Sequence, residues 1–158
     1  MQGVAGHLFI RMNHSQFFGK STEYLVSSML LSEKRELYLP AVDDHGVDMI
    51  VRTKNFDPQC DNKDPNHYEF QEIQVKSISK GGLFAAIKCN NPRPNYWFLF
   101  YIKNIDRMWL VNSFDFCSLG SPNSTGSNIG KYSFDLTPTK REPLKKKKFL
   151  INDFSQLP

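Results

Sequence analysis

The run Tyr96 to Ile102, Tyr-Trp-Phe-Leu-Phe-Tyr-Ile, is apolar or aromatic from end to end. A strand turns successive side chains to opposite faces. This run therefore has no face to give to water, and it predicts a strand in the middle of a sheet, buried on both sides. It is strand-sized and far too short to span a bilayer.

Upstream, Phe70 to Ser77 behaves differently, because it alternates. Phe70, Glu72, Gln74 and Lys76 share one side of a strand, and Gln71, Ile73, Val75 and Ser77 share the other. A carboxylate, an amide and an ammonium thus project from one face. Asp48 opens a second apolar run, Met49-Ile50-Val51, that also reads as a strand. Two neighbouring strands carrying an acid and a Gln-x-Lys at matching height form a site for a cation with a lysine beside it. Alternating charges on a strand ordinarily mark a solvent face, so the spacing alone does not decide for chemistry.

The order of elements around these strands is readable. A helix is predicted from about Ser15 to Glu33, capped by Ser15, with Phe17, Phe18, Tyr24, Leu25, Met29 and Leu30 as its apolar stripe. Glu23 lies beside that stripe; a lone helix acid is usually solvated, and the alternative is an acid held near the strand ends. Strands are expected at Glu36–Val42, Val47–Arg52, Tyr68–Ser77, Leu83–Lys88, Tyr96–Ile102, Arg107–Val111 and Tyr132–Leu136. Asp43 to Gly46 reads as a turn and Lys54 to His67 as a mobile surface loop. Asn112-Ser113 is suited to cap a short helix, Phe114–Leu119. Gly120 to Gly130 has the composition of a flexible loop, and Phe149 to Leu157 that of a short closing helix.

With 158 residues, one domain is expected: an extension at 1–14 with Met12 as an alternative start, a globular unit at 15–137, and a basic tail at 138–158. Thirteen Phe, six Tyr and two Trp supply the core, and a net charge of +4 is a mild bias toward anionic partners. Cys60, Cys89 and Cys117 form no CxxC pair, which argues against structural zinc and for reduced thiols in a cytoplasmic protein. Lys145, Lys146, Lys147 and Lys148 end a basic run that suits phosphate contacts, or equally a solvated charged tail.

Taken together, Gly19 and Glu23 on the helix, Pro40 and Gly46-Val47-Asp48 at a strand entry, Gln74-Val75-Lys76-Ser77 on the next strand and Trp109 to Phe116 beyond it resemble the PD-(D/E)xK nuclease superfamily. The resemblance covers about Gly19 to Ser113, in the variant with glutamine in place of the second acid. It implies an α/β restriction-endonuclease-like fold, a mixed central β-sheet flanked by helices. It implies a metal-dependent nuclease acting on nucleic acid, with DNA expected. Asp48, Gln74 and the backbone carbonyl of Val75 would bind Mg²⁺ or Mn²⁺, because hard cations take oxygen ligands. Lys76 would activate water, Glu23 would complete the site, and Glu72 would stand in reserve. A homodimer is compatible with this reading. The rival readings are a non-catalytic nucleic-acid-binding module that retains the fold and a purely structural or inhibitor-like partner of another protein.

Overall fold

A computed structural model describes residues 13–41, 46–54, 68–89, 91–137 and 148–158. It contains helix α1 (His14–Ser32), strands β1 (Glu36–Tyr38), β2 (Met49–Lys54), β3 (Tyr68–Ile78), β4 (Leu83–Lys88), β5 (Tyr96–Ile102) and β6 (Arg107–Asn112), helix α2 (Ser113–Leu119), and strands β7 (Ser121–Pro122), β8 (Lys131–Asp135) and β9 (Leu150–Ile151). Residues 1–12 of the expected 1–14 extension, Asp43 to His45 of the expected turn, most of the 54–67 loop with Cys60, and Lys145 to Lys147 lie outside the described residues.

The main sheet has six strands in the order β1-β2-β3-β5-β6-β9. All neighbours are antiparallel except β3 and β5, which run parallel from Glu72 opposite Tyr96 to Ile78 opposite Ile102. The sheet is therefore mixed, and the apolar run Tyr96–Ile102 occupies its interior as the sequence requires. A parallel step needs a crossover, and here the chain makes it through β4. That strand leaves the main sheet and joins β8 and β7 in a second, three-stranded sheet.

Each face of the main sheet has its own core. On one, Val26 and Leu30 of α1 pack on Met49, Val51, Ile73, Val75, Leu99 and Leu110. On the other, Phe98, Phe100, Ile102, Trp109 and Val111 meet Phe84 and Phe134 of the small sheet and Phe116 of α2. Phe116 has ring neighbours Phe98 at 4.3 Å, Phe134 at 5.5 Å and Phe100 at 6.0 Å, so one side chain joins α2 to both sheets. Among the described residues, no helix is long and apolar enough to cross a membrane.

Several boundaries differ from the sequence expectation. The cap of α1 is Asn13, not Ser15, and it forms a reciprocal capping box with Gln16. β1 stops at Tyr38 rather than Val42, and β2 begins at Met49 rather than Val47. The 120–130 segment is held in place: Asn123 N donates to Lys131 O at 2.8 Å, and Ser133 Oγ donates to Asn123 Oδ1 at 3.2 Å. The closing helix over 149–157 is absent. Leu150–Ile151 pairs instead with β6, where Leu110 N donates to Phe149 O at 2.9 Å, and Phe154 then docks against the end of α1. The open edge of β6 offers main-chain partners that a short isolated helix cannot match.

Phe116→Ala should lower the free energy of unfolding by about 3–5 kcal/mol, because it empties the contact between three elements. Urea denaturation followed by tryptophan fluorescence measures this directly.

Candidate functional site

The last β2–β3 pair is Met49 opposite Ile73, and there the two strands part. Asp48 N still donates to Ile73 O at 2.9 Å. Two positions further along β3, Val75 N donates to a side chain, Asp48 Oδ2, at 2.7 Å. These two bonds bracket Gln74. The carboxylate thus stands against the backbone between Gln74 and Lys76, at the point where β2 leaves the sheet.

The alternation of β3 holds in the structure. Gln71, Ile73 and Val75 are buried, whereas Glu72, Gln74 and Lys76 are only partly so. Gln74 and Lys76 line a cleft of about 980 Å³ on the face opposite α1, roofed by the bulged strand β4 and the loop leading to β5. Gly46 lines it as well, at φ +73°, where a Cβ would collide with Gln74 Nε2. A glycine here lets the backbone approach the amide closely.

The remaining acids have partners that the sequence did not show. Glu72 is bound by Arg93 through Nε at 2.9 Å and also through Nη2, so the reserve ligand is engaged as an ion pair. Arg93 also stacks on Tyr96 at 4.4 Å, and its main chain is tied to Ser113 Oγ in both directions. Glu23 is one helical turn from Lys20, whose Nζ lies 2.5 Å from Glu23 Oε2. That hydrogen bond raises the Lys20 pKa, burial opposes it, and Asp48 adds a smaller attraction. The α1 pair Lys20–Glu23 and the Asp48 carboxylate therefore share one electrostatic neighbourhood. Lys20 is absent from the residues that the sequence singles out, although its i, i+3 spacing from Glu23 is the signal that finds it.

Tyr96 closes the floor of the cleft. Its hydroxyl donates to Gly46 O at 3.5 Å, and burial pushes its pKa up to about 12, with Arg93 opposing and Cys89, Asp48 and Glu72 adding to the rise. Cys89 is likewise pushed up to about 12, by burial and then by the neighbouring Cys117 thiol 2.8 Å away; both are free thiols. Of the basic run, Lys148 is described, and it pairs with Asp115 at 3.4 Å. Among the described residues, no group of three or more His, Cys, Asp or Glu side chains comes together. A cation held here would rest on carboxylate, amide and carbonyl oxygens.

Two measurements test this arrangement. Gly46→Ala must adopt a left-handed backbone and displace Gln74, so its unfolding free energy should fall by about 1–2 kcal/mol in denaturant titration. Tyr96 and Cys89 are raised from ordinary values of 10.0 and 9.0 to about 12. Their protonated forms favour the fold, so the stability they confer is complete below about pH 9 and is lost as pH climbs toward about 12. Denaturation midpoints measured across that range should decline, and Tyr96→Phe should flatten part of the decline.

No protein-family model matches this chain, and no curated protein matches it in sequence. In three dimensions it is similar to a bacterial homing endonuclease, I-Ssp6803I, at a TM-score of 0.56 and 13% identity, with 88% of each chain covered. The chain shares the mixed α/β fold of that solved structure.

Proposed function

We propose that this protein is a metal-dependent nuclease that hydrolyses phosphodiester bonds, with DNA as its substrate. The observation that carries this reading is the bond from Val75 N to Asp48 Oδ2. It joins an acid to a Gln-x-Lys on a neighbouring strand, in the fold of a solved homing endonuclease. Asp48, Gln74 and the Val75 carbonyl form an all-oxygen donor set, which fits Mg²⁺ or Mn²⁺, cations held by few protein ligands and completed by water and phosphate. When bound, such a cation supplies Lewis-acid polarisation of the phosphoryl oxygen and eases ionisation of water.

The chain's own residues do the rest. Lys76 lines the cleft two positions beyond Gln74, where its ammonium can orient the attacking water and offset the charge that builds on the transition state. Glu23 is a candidate to complete the site, with Lys20 steadying its carboxylate. Gln74 adds no negative charge, so the site favours modest cation affinity. The basic run ending at Lys145 to Lys148 supplies phosphate contacts without sequence preference. A cytoplasmic protein acting as a homodimer, one copy for each strand, completes the proposal.

The decisive experiment incubates purified protein with labelled duplex DNA, single-stranded DNA and RNA, with and without Mg²⁺ or Mn²⁺. Cation-dependent cleavage of DNA is expected. Lys76→Ala should reduce it by about 100-fold or more while calorimetry still detects the cation. Asp48→Ala should lose both, and Gln74→Glu should tighten the cation by adding charge. Binding of nucleic acid without cleavage by any form would replace the enzyme with a binding module.

A further inference from the structure

The roof of the cleft has a feature that the proposed chemistry does not use. β4 and β8 pair antiparallel, with Phe84 opposite Phe134, Ile87 opposite Tyr132 and Lys88 opposite Lys131. Two lysines directly across a ladder repel each other. Lys131 Nζ donates to the neutral Asn128 Oδ1 at 2.9 Å, which satisfies a proton without cancelling the charge. Both lysines line the cleft that also holds Lys76 and Arg93, and among the described residues no carboxylate lines it. Glu72 is bonded to one of these cations, Arg93, which already holds it.

This juxtaposition depends on a strained backbone. The ladder slips between Phe84 and Ile87, and Ala86 sits at φ +58°, which costs a non-glycine residue roughly 1–2 kcal/mol. Unbroken alternation from buried Phe84 would expose Ile87 and turn Lys88 inward. The extra residue instead buries Ile87 and leaves Lys88 exposed. The bulge thus serves a core contact and a lysine position together.

We propose that Lys88 and Lys131 form a phosphate clamp for the sugar-phosphate backbone of a nucleic-acid strand lying in the cleft, on the roof opposite Gln74 and Lys76. A phosphodiester between the two ammonium groups turns their repulsion into attraction. The occupant is a polyanion because the described lining is cationic and carries no acid. This inference rests on the nuclease reading for the identity of the strand, but it concerns binding and not hydrolysis.

The test measures binding of a labelled duplex DNA oligonucleotide in chelator, across a salt series, by wild type, Lys88→Gln, Lys131→Gln and the double variant. Each phosphate left unneutralised should reduce the log–log salt slope by about 0.9, and the two lysines share one, so the double variant should fall short of wild type by about 0.9. In the absence of DNA, Lys88→Gln should raise the Tm by about one degree, because it removes the like-charge pair. Weaker DNA binding with unchanged or higher Tm is the signature of a clamp and excludes misfolding as the cause. If wild type binds DNA and the double variant keeps its full slope, the clamp is wrong and the nuclease reading survives. DNA that binds with the expected slopes but is never cut with Mg²⁺ or Mn²⁺ retains the clamp and removes the enzyme. Absence of DNA binding by wild type removes both.

Discussion

At the end of β2 a carboxylate takes the place of a strand. An orphaned main-chain N–H inside a sheet costs about 1–3 kcal/mol, and Val75 would be left with one where β2 turns away. Asp48 Oδ2 accepts that proton at 2.7 Å. A single hydrogen bond therefore completes the ladder and fixes an acid beside Gln74 and Lys76. The divergence of β2 from β3 opens the space, and the carboxylate makes the opening tolerable. Gly46, close against the Gln74 amide, keeps the chain near enough for this to happen.

The parallel pairing of β3 with β5 determines what surrounds that point. The chain must cross from one to the other, and it does so by way of β4, which is given up to a second sheet. The crossover places the small sheet over one face while α1 covers the other. The cleft lies on the small-sheet face, so Gln74 and Lys76 have a roof rather than bulk water. The return loop delivers Arg93 onto Glu72 and Tyr96, and Ser113 and Asn112 pin that loop to the start of α2. Core packing and site assembly are thus consequences of one topological step.

Charge is distributed unevenly around this scaffold. On the α1 side, Lys20 and Glu23 pair with each other near Asp48. On the cleft side, Arg93 engages Glu72, while Lys76, Lys88 and Lys131 face a lining whose described residues include no acid. The described lining of the cleft is cationic, and the Asp48 carboxylate stands beside it, against the backbone next to Gln74.

The shared face of Gln74 and Lys76 was legible from the sequence because strand alternation is local: a period of two decides which side chains lie together, whatever the partner strand. The position of Tyr96–Ile102 was legible for a similar reason, since a run with no polar face must be buried on both sides. Tertiary structure alone decided the rest. The closing segment 149–157 pairs as a strand because the edge of β6 is there to receive it, and local pattern cannot report that edge. Glu72 became an ion pair only when a loop twenty-one positions away in sequence was folded back onto it. The bulge at Ala86 and the opposition of Lys88 to Lys131 arise from a pairing with β8 across more than forty intervening residues, and no window on the chain contains both strands.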